Sequence, residues 1–167
     1  MPTELKGASE LRRAMKRFSP DLDKETRDEM VEFLKPLVKK ARGFMPSNAD
    51  MPSGFVGTAE SGQFPKYDAG IARRGLGYKL TPTKPNRQGW VQTVSIHNKT
   101  AGGVIYEWAG RKSNSKFVSN LPGQLAGSGK MAGRAMFKAY KEDEGRAKVG
   151  VIKALEKAAA KFNGRVS

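Results

Sequence analysis

Apolar side chains recur every three or four positions through the first fifty residues. Leu11, Met15, Phe18 and Leu22 form one stripe, and Thr26, Met30, Phe33 or Leu34, Leu37 and Ala41 continue it. That period matches the 3.6-residue turn of an amphipathic helix. Ser19-Pro20-Asp21 interrupts the run with a capping residue, a proline suited to the first helical position and an acid for the first turn. The pattern predicts a short helix over residues 8–18 and a longer one over 20–42, closed by Gly43 and Pro46. Asp21, Asp23 and Glu25 near its start and Lys39, Lys40 and Arg42 near its end suit the helix dipole. Pro36 removes one backbone hydrogen bond inside it and predicts a kink.

Between Pro46 and Leu76 the periodicity gives way to Gly, Pro, Ser and Asn with scattered aromatics, Phe55, Phe64 and Tyr67. A loop of that length inside a compact domain predicts a functional or partner-ordered segment. Gly77 to Thr81 reads as a short strand. Trp90 to Asn98 reads as another, with Val94 and Ile96 on one face and Thr93 and Ser95 on the other. Val104, Tyr106 and Trp108 alternate with Ile105 and Glu107, and Lys99-Thr100-Ala101-Gly102-Gly103 supplies turn residues before them. The expectation is an antiparallel hairpin whose face bearing Val94, Ile96, Tyr106 and Trp108 packs under the main helices. Alternation places Glu107 on the opposite face, where a basic neighbour can pair with it.

Residues 111–134 read as a second long loop, polar and basic. Helical spacing returns at Val149, Ile152, Leu155, Ala159 and Phe162, with Gly164 as a stop and with Gly145 and Gly150 weakening the front half. The order of helices, loop, small antiparallel sheet, loop and C-terminal helix gives an α+β fold. It reads as a single domain over 1–167 with long loops at about 46–76 and 111–134. There is no internal repeat.

Charge sharpens this picture. The chain carries a net +15, unevenly spread: residues 1–50 hold 11 basic and 9 acidic side chains, residues 51–140 hold 13 and 3, and residues 141–167 hold 7 and 4. A basic middle attracts a polyanion, either nucleic acid or an acidic protein. The absence of cysteine excludes disulfides and thiolate metal sites. No apolar run approaches the ~20 residues that cross a bilayer, and Met1-Pro2-Thr3-Glu4-Leu5-Lys6 lacks the apolar core of a secretory signal. A soluble intracellular product, with no membrane association, is the expectation.

Candidate chemistry is sparse. Gly127-Ser128-Gly129-Lys130, inside Leu121–Gly133, superficially resembles a phosphate-binding loop. Five residues rather than four separate Gly123 from Gly129, and Met131 stands where a magnesium-binding hydroxyl belongs. His97 is the only histidine and reads as a surface or turn residue without a catalytic partner motif. Glu142-Asp143-Glu144 reads as a solvated helix start. No catalytic residue, metal site or cofactor site is assigned, and the chain is not expected to be an enzyme. Zinc-finger spacing, RNA-recognition aromatics and a basic zipper are also missing. The basic residues that can meet a partner or DNA are Arg73, Arg74, Arg111, Lys112, Lys116, Lys130 and Arg134.

Three pieces together carry a resemblance: Leu11 to Arg42 with Phe44-Met45-Pro46; Ile105-Tyr106-Glu107-Trp108-Ala109-Gly110; and Gly133-Arg134-Ala135-Met136-Phe137-Lys138-Ala139 leading into a helix that reaches Phe162. In this layout the chain resembles the head–tail joining (neck or tail-completion) proteins of long-tailed bacteriophages. It departs from them in lacking a clear Gly-x-Leu-Arg run after Pro46 and in the length of the loop from Arg111 to Lys130. The resemblance implies a structural virion protein, a hexameric or dodecameric homo-oligomeric ring between the capsid connector and the tail tube, in a terminator, stopper or completion role. It further implies contacts with adjacent connector and tail-tube proteins, non-specific contact with genomic DNA, and a place in the virion neck after assembly in the host cytoplasm. The alternative from charge alone is a nucleic-acid-binding protein without a sequence-reading motif.

Overall fold

The computed structural model describes residues 7–57, 60, 63–89, 91–112 and 114–166. Met1–Lys6 and the expected strand start at Trp90 lie outside them. Among the described residues, nine helices and strands follow one another. Helices α1 (Ala8–Phe18), α2 (Pro20–Gly43) and α3 (Ala69–Gly75) precede strands β1 (Leu76–Lys79) and β2 (Ser95–Asn98). Helices α4 (Ala101–Trp108), α5 (Lys116–Ser119), α6 (Met136–Glu142) and α7 (Arg146–Val166) complete the described chain. The two strands form one small antiparallel sheet, so the fold class is α+β. The chain gathers into two compact units. The first contains 1–36, 79–95 and 145–167, and the second contains 37–78 and 96–144. The division within α2 falls immediately after Pro36, the proline inside that helix.

The first unit is helical. Met15, Leu22 and Ala158 form an enclosed cluster with Leu11 and Phe162 against it, because the stripes of α1, α2 and α7 converge there. On the rim, Arg165 pairs with Asp21 at 2.8 Å, Lys161 with Glu25, and Lys157 with Glu29 at 3.1 Å. The four-residue steps run in opposite directions along α2 and α7, which sets the two helices antiparallel. Further along, Phe33 lies over Gly150, where a Cβ would come within 2.3 Å of its ring. Gly150, which reads as a helix weakness, is thus a site of close approach. Buried Arg12 donates to the Leu80 carbonyl and lies 3.8 Å from Asp23.

The second unit is built around aromatic rings. Phe55 meets Phe64, Tyr67 and Phe117 at centroid distances of 6.3, 5.9 and 5.1 Å, and Tyr67 meets Tyr106 at 6.0 Å. Phe55, Phe64 and Tyr67 thus share a core with rings from far along the chain. Two short 3₁₀ turns, Asn48–Asp50 and Ser53–Phe55, then α3, occupy what reads as an unstructured loop. Tyr67 is fully enclosed, and its hydroxyl donates to the Pro46 carbonyl at 2.9 Å. Burial pushes its phenol far above the ordinary range.

Several expectations are corrected. Residues 101–108 form α4, not the second strand of a hairpin; β2 pairs with β1 instead, and regular strand structure starts only at Ser95. Gly102, Gly103, Tyr106 and Glu107 are the buried positions, a helical spacing that the alternation of Val104, Tyr106 and Trp108 also permits. Gly102 and Gly103 serve close packing, not a turn: a Cβ on Gly102 would lie 2.3 Å from the Lys66 carbonyl oxygen. Thr100 caps α4 by accepting from the Gly103 N–H at 3.3 Å. Trp108 and Phe33 are 48% and 38% exposed, so neither anchors a core face. The C-terminal segment is two helices. Glu144 (φ 53) and Gly145 (φ 81) take left-handed backbone between α6 and α7, so Glu142-Asp143-Glu144 ends a helix. The last helix runs past Gly164 to Val166.

Candidate functional site

Between α4 and α6 the chain makes an excursion through residues 109–135, and its two ends are fastened together. Glu107, on the inner face of α4, is completely enclosed. Its Oε2 accepts the backbone N–H groups of Ala135 at 2.8 Å and Met136 at 3.0 Å, and its Oε1 accepts that of Phe137 at 3.0 Å. A carboxylate from a distant helix thereby satisfies the free amides opening α6, at the end where a negative charge is favoured. Gly133 makes room for it, since a Cβ there would lie 2.0 Å from Oε1. The expectation of a basic side-chain partner on the face opposite the rings is therefore corrected: Glu107 pairs with backbone, inside.

Two arginines fasten the same base. Arg134 is buried, donating to the carbonyls of Tyr106 at 3.1 Å, Ala109, and Gly123 at 3.2 Å, with its guanidinium over the Tyr106 ring. Arg111 donates to the Ala132 carbonyl at 2.6 Å and stacks between Trp108 and Phe137, at 4.9 and 5.0 Å from their ring centroids. Desolvation draws both guanidinium groups below their ordinary value, against the opposing effect of the Glu107 charge. Tyr106 donates to the Pro122 carbonyl at 3.2 Å, and burial raises its phenol to about 12.

The tip of the excursion is open. Ala126 and Gly133 exchange backbone hydrogen bonds at 2.9 Å in each direction, closing a narrow turn that carries the 3₁₀ segment Gly129–Met131. The Gly-Ser-Gly-Lys stretch thus lies in a small closed turn, not between a buried strand and a long helix. Lys112, Lys116 and Lys130 are exposed.

The candidate contact residues therefore separate into groups. Arg111 and Arg134 meet at the loop base, and Arg134 is turned inward, contrary to its reading as a surface contact. Lys112, Lys116 and Lys130 stand on the excursion. Arg73 and Arg74 sit apart on α3, where Arg73 donates to the Met45 carbonyl at 2.9 Å. His97 lies half-buried on β2 with its ring over Gly77. The capping role of Glu107 is what sequence reasoning missed, although a signal existed: it is the only acid between Asp68 and Glu142. Among the described residues, no three His, Cys, Asp or Glu side chains gather as a metal ion requires, and no helix is long and apolar enough to cross a membrane. No family model, curated protein or solved structure matches this chain.

Proposed function

We propose that this chain is a ring-forming structural subunit of a phage neck, joining the capsid connector to the tail tube. One observation carries the reading. Two of the three pieces that carry the resemblance, those containing Tyr106-Glu107 and Gly133 to Ala139, fold onto each other, with the carboxylate of the first capping the helix opened by the second. They act as one structural device, as a shared family motif would. The loop held by that device presents lysines outward, suiting a ring subunit whose basic face meets an acidic partner ring.

Deletion of the gene from its phage tests this directly. Filled heads and finished tails should accumulate unjoined in electron micrographs, and supplying the protein should restore joining. Intact virions from the deletion would refute the neck role. The charge-driven nucleic-acid reading has its own signature: affinity for duplex DNA falling with salt at a logarithmic slope of about −0.9 per contacted phosphate. Submicromolar DNA binding at physiological salt would favour it over the neck.

A further inference from the structure

The fastened loop leaves a surface that no internal contact uses up. Trp108 is 48% exposed and Met131 51% exposed, although neither belongs to a disordered tail. Arg111 holds them in one neighbourhood, stacking on the Trp108 ring and bonding to the Ala132 carbonyl beside Met131. Its other stacking partner, Phe137, extends the aromatic surface along α6. From Trp108 to Arg134 the sequence contains five basic residues and no acid. Of these, Lys112, Lys116 and Lys130 are exposed.

We infer that the surface formed by Trp108, Arg111 and Met131, bordered by Lys112, Lys116 and Lys130, docks an acidic protein segment that carries an apolar side chain. Trp, Met and Arg at the centre with charge at the edge is the composition of a protein-binding patch, where aromatic and arginine anchors supply most of the binding energy. Duplex DNA would use the lysines but leave Trp108 and Met131 in water, since phosphate contacts need no apolar surface. A second copy is a poor occupant. The chain is +15 overall, so like charges on two copies repel. The inference rests on this surface alone and stands whether or not the chain is a neck subunit.

The full chain can be titrated at physiological salt with short labelled peptides: one rich in Asp and Glu with a central Phe, the same peptide with Ser in that place, and a neutral control. An oligo-dT and a DNA duplex complete the set. The Phe peptide should bind, and Ser in its centre should weaken it by about tenfold, as should Trp108→Ala in the protein. The triple variant Lys112→Glu, Lys116→Glu, Lys130→Glu should abolish binding while keeping the wild-type circular dichroism. Equal binding of the Phe and Ser peptides, no effect of Trp108→Ala, or binding no tighter than the neutral control would overturn the inference. Either DNA binding more tightly than the Phe peptide would do the same in favour of nucleic acid. A concentration-dependent dimer in sedimentation that Trp108→Ala dissolves would assign the patch to self-association instead.

Discussion

Glu107→Gln is the most direct probe of what holds the second unit together. The side chain is fully enclosed, and its two oxygens accept three backbone N–H groups, two on Oε2 and one on Oε1. Glutamine has the same shape but only one acceptor oxygen. Placed where Oε2 lies, that oxygen keeps Ala135 and Met136 and turns an NH₂ toward the Phe137 N–H. One charge-assisted bond, worth about 1.5–3 kcal/mol, becomes a donor facing a donor, and the other two weaken toward neutral strength. Loss of the charge at the helix start costs up to a further ~2 kcal/mol in a partly buried setting, while relief of carboxylate desolvation works the other way. The net expectation is destabilisation by about 2–3 kcal/mol for Glu107→Gln and about 3–5 kcal/mol for Glu107→Ala, which also leaves a cavity. At roughly 2–4 °C per kcal/mol for a chain of this size, the glutamine variant should melt about 5–10 °C lower. Thermal and urea unfolding followed by fluorescence of nearby Trp108 reads this. Gly133→Ala approaches the same carboxylate from the other side and should be destabilising in the wild type. In a Glu107→Ala background its cost should fall by at least ~1 kcal/mol, because the oxygen it strikes is gone. A glutamine variant within ~0.5 kcal/mol of wild type, or strict additivity of the pair, would refute the capping argument.

Two further predictions rest on other parts of the molecule. Tyr67→Phe should cost about 1 kcal/mol by losing the hydroxyl bond to Pro46, and Tyr67→Ala about 3–5 kcal/mol by emptying the aromatic core, whereas Trp108→Ala should cost under about 1 kcal/mol, all read by urea unfolding. The hydrogen bonds from Arg165 and Lys161 hold the Asp21 and Glu25 carboxyls below their ordinary values of 3.8 and 4.5. Groups with depressed pKa stabilise the fold above their unfolded values and lose that contribution as pH falls through the folded ones, so the α2–α7 edge should weaken below pH 3.8–4.5. Replacing Lys161 and Arg165 with Gln should shrink the difference between melting temperatures at neutral and acid pH. An unchanged difference would remove the ladder from acid stability.

The terminal helices were legible because their stripes are long: 3.6-residue spacing sustained over several turns, with Ser19-Pro20-Asp21 as a start, leaves little competition. The segment 101–108 misled for a physical reason. Over so few residues, alternating Val104, Tyr106 and Trp108 satisfies both periods, and Gly102-Gly103 signals a turn unless the Lys66 backbone packed against it is known. The order within 46–76 comes from rings of Phe117 and Tyr106, far along the chain, which local pattern cannot convey. Of the candidate site, the basic character of the 111–134 loop was readable. The inward turn of Arg134 and the role of Glu107 were not, because both depend on carbonyls and amides that carry no residue identity.

Fastening the excursion at its base has a consequence for how such a chain can diverge. Glu107, Arg111, Gly133 and Arg134 fix where the segment leaves and re-enters the unit, and beyond the Ala126–Gly133 pair the exposed tip, 127–131, is held mainly by closure of its own turn. Closure entropy grows only logarithmically, and even doubling a flexible loop costs about 0.6 kcal/mol. Insertions, deletions and exchanges of exposed residues near the tip can therefore accumulate across lineages with little selective cost to folding. The four fastening positions, by contrast, are constrained together, because a change at one strands its partners. A lineage can rewrite what this loop meets while inheriting the clasp that holds it.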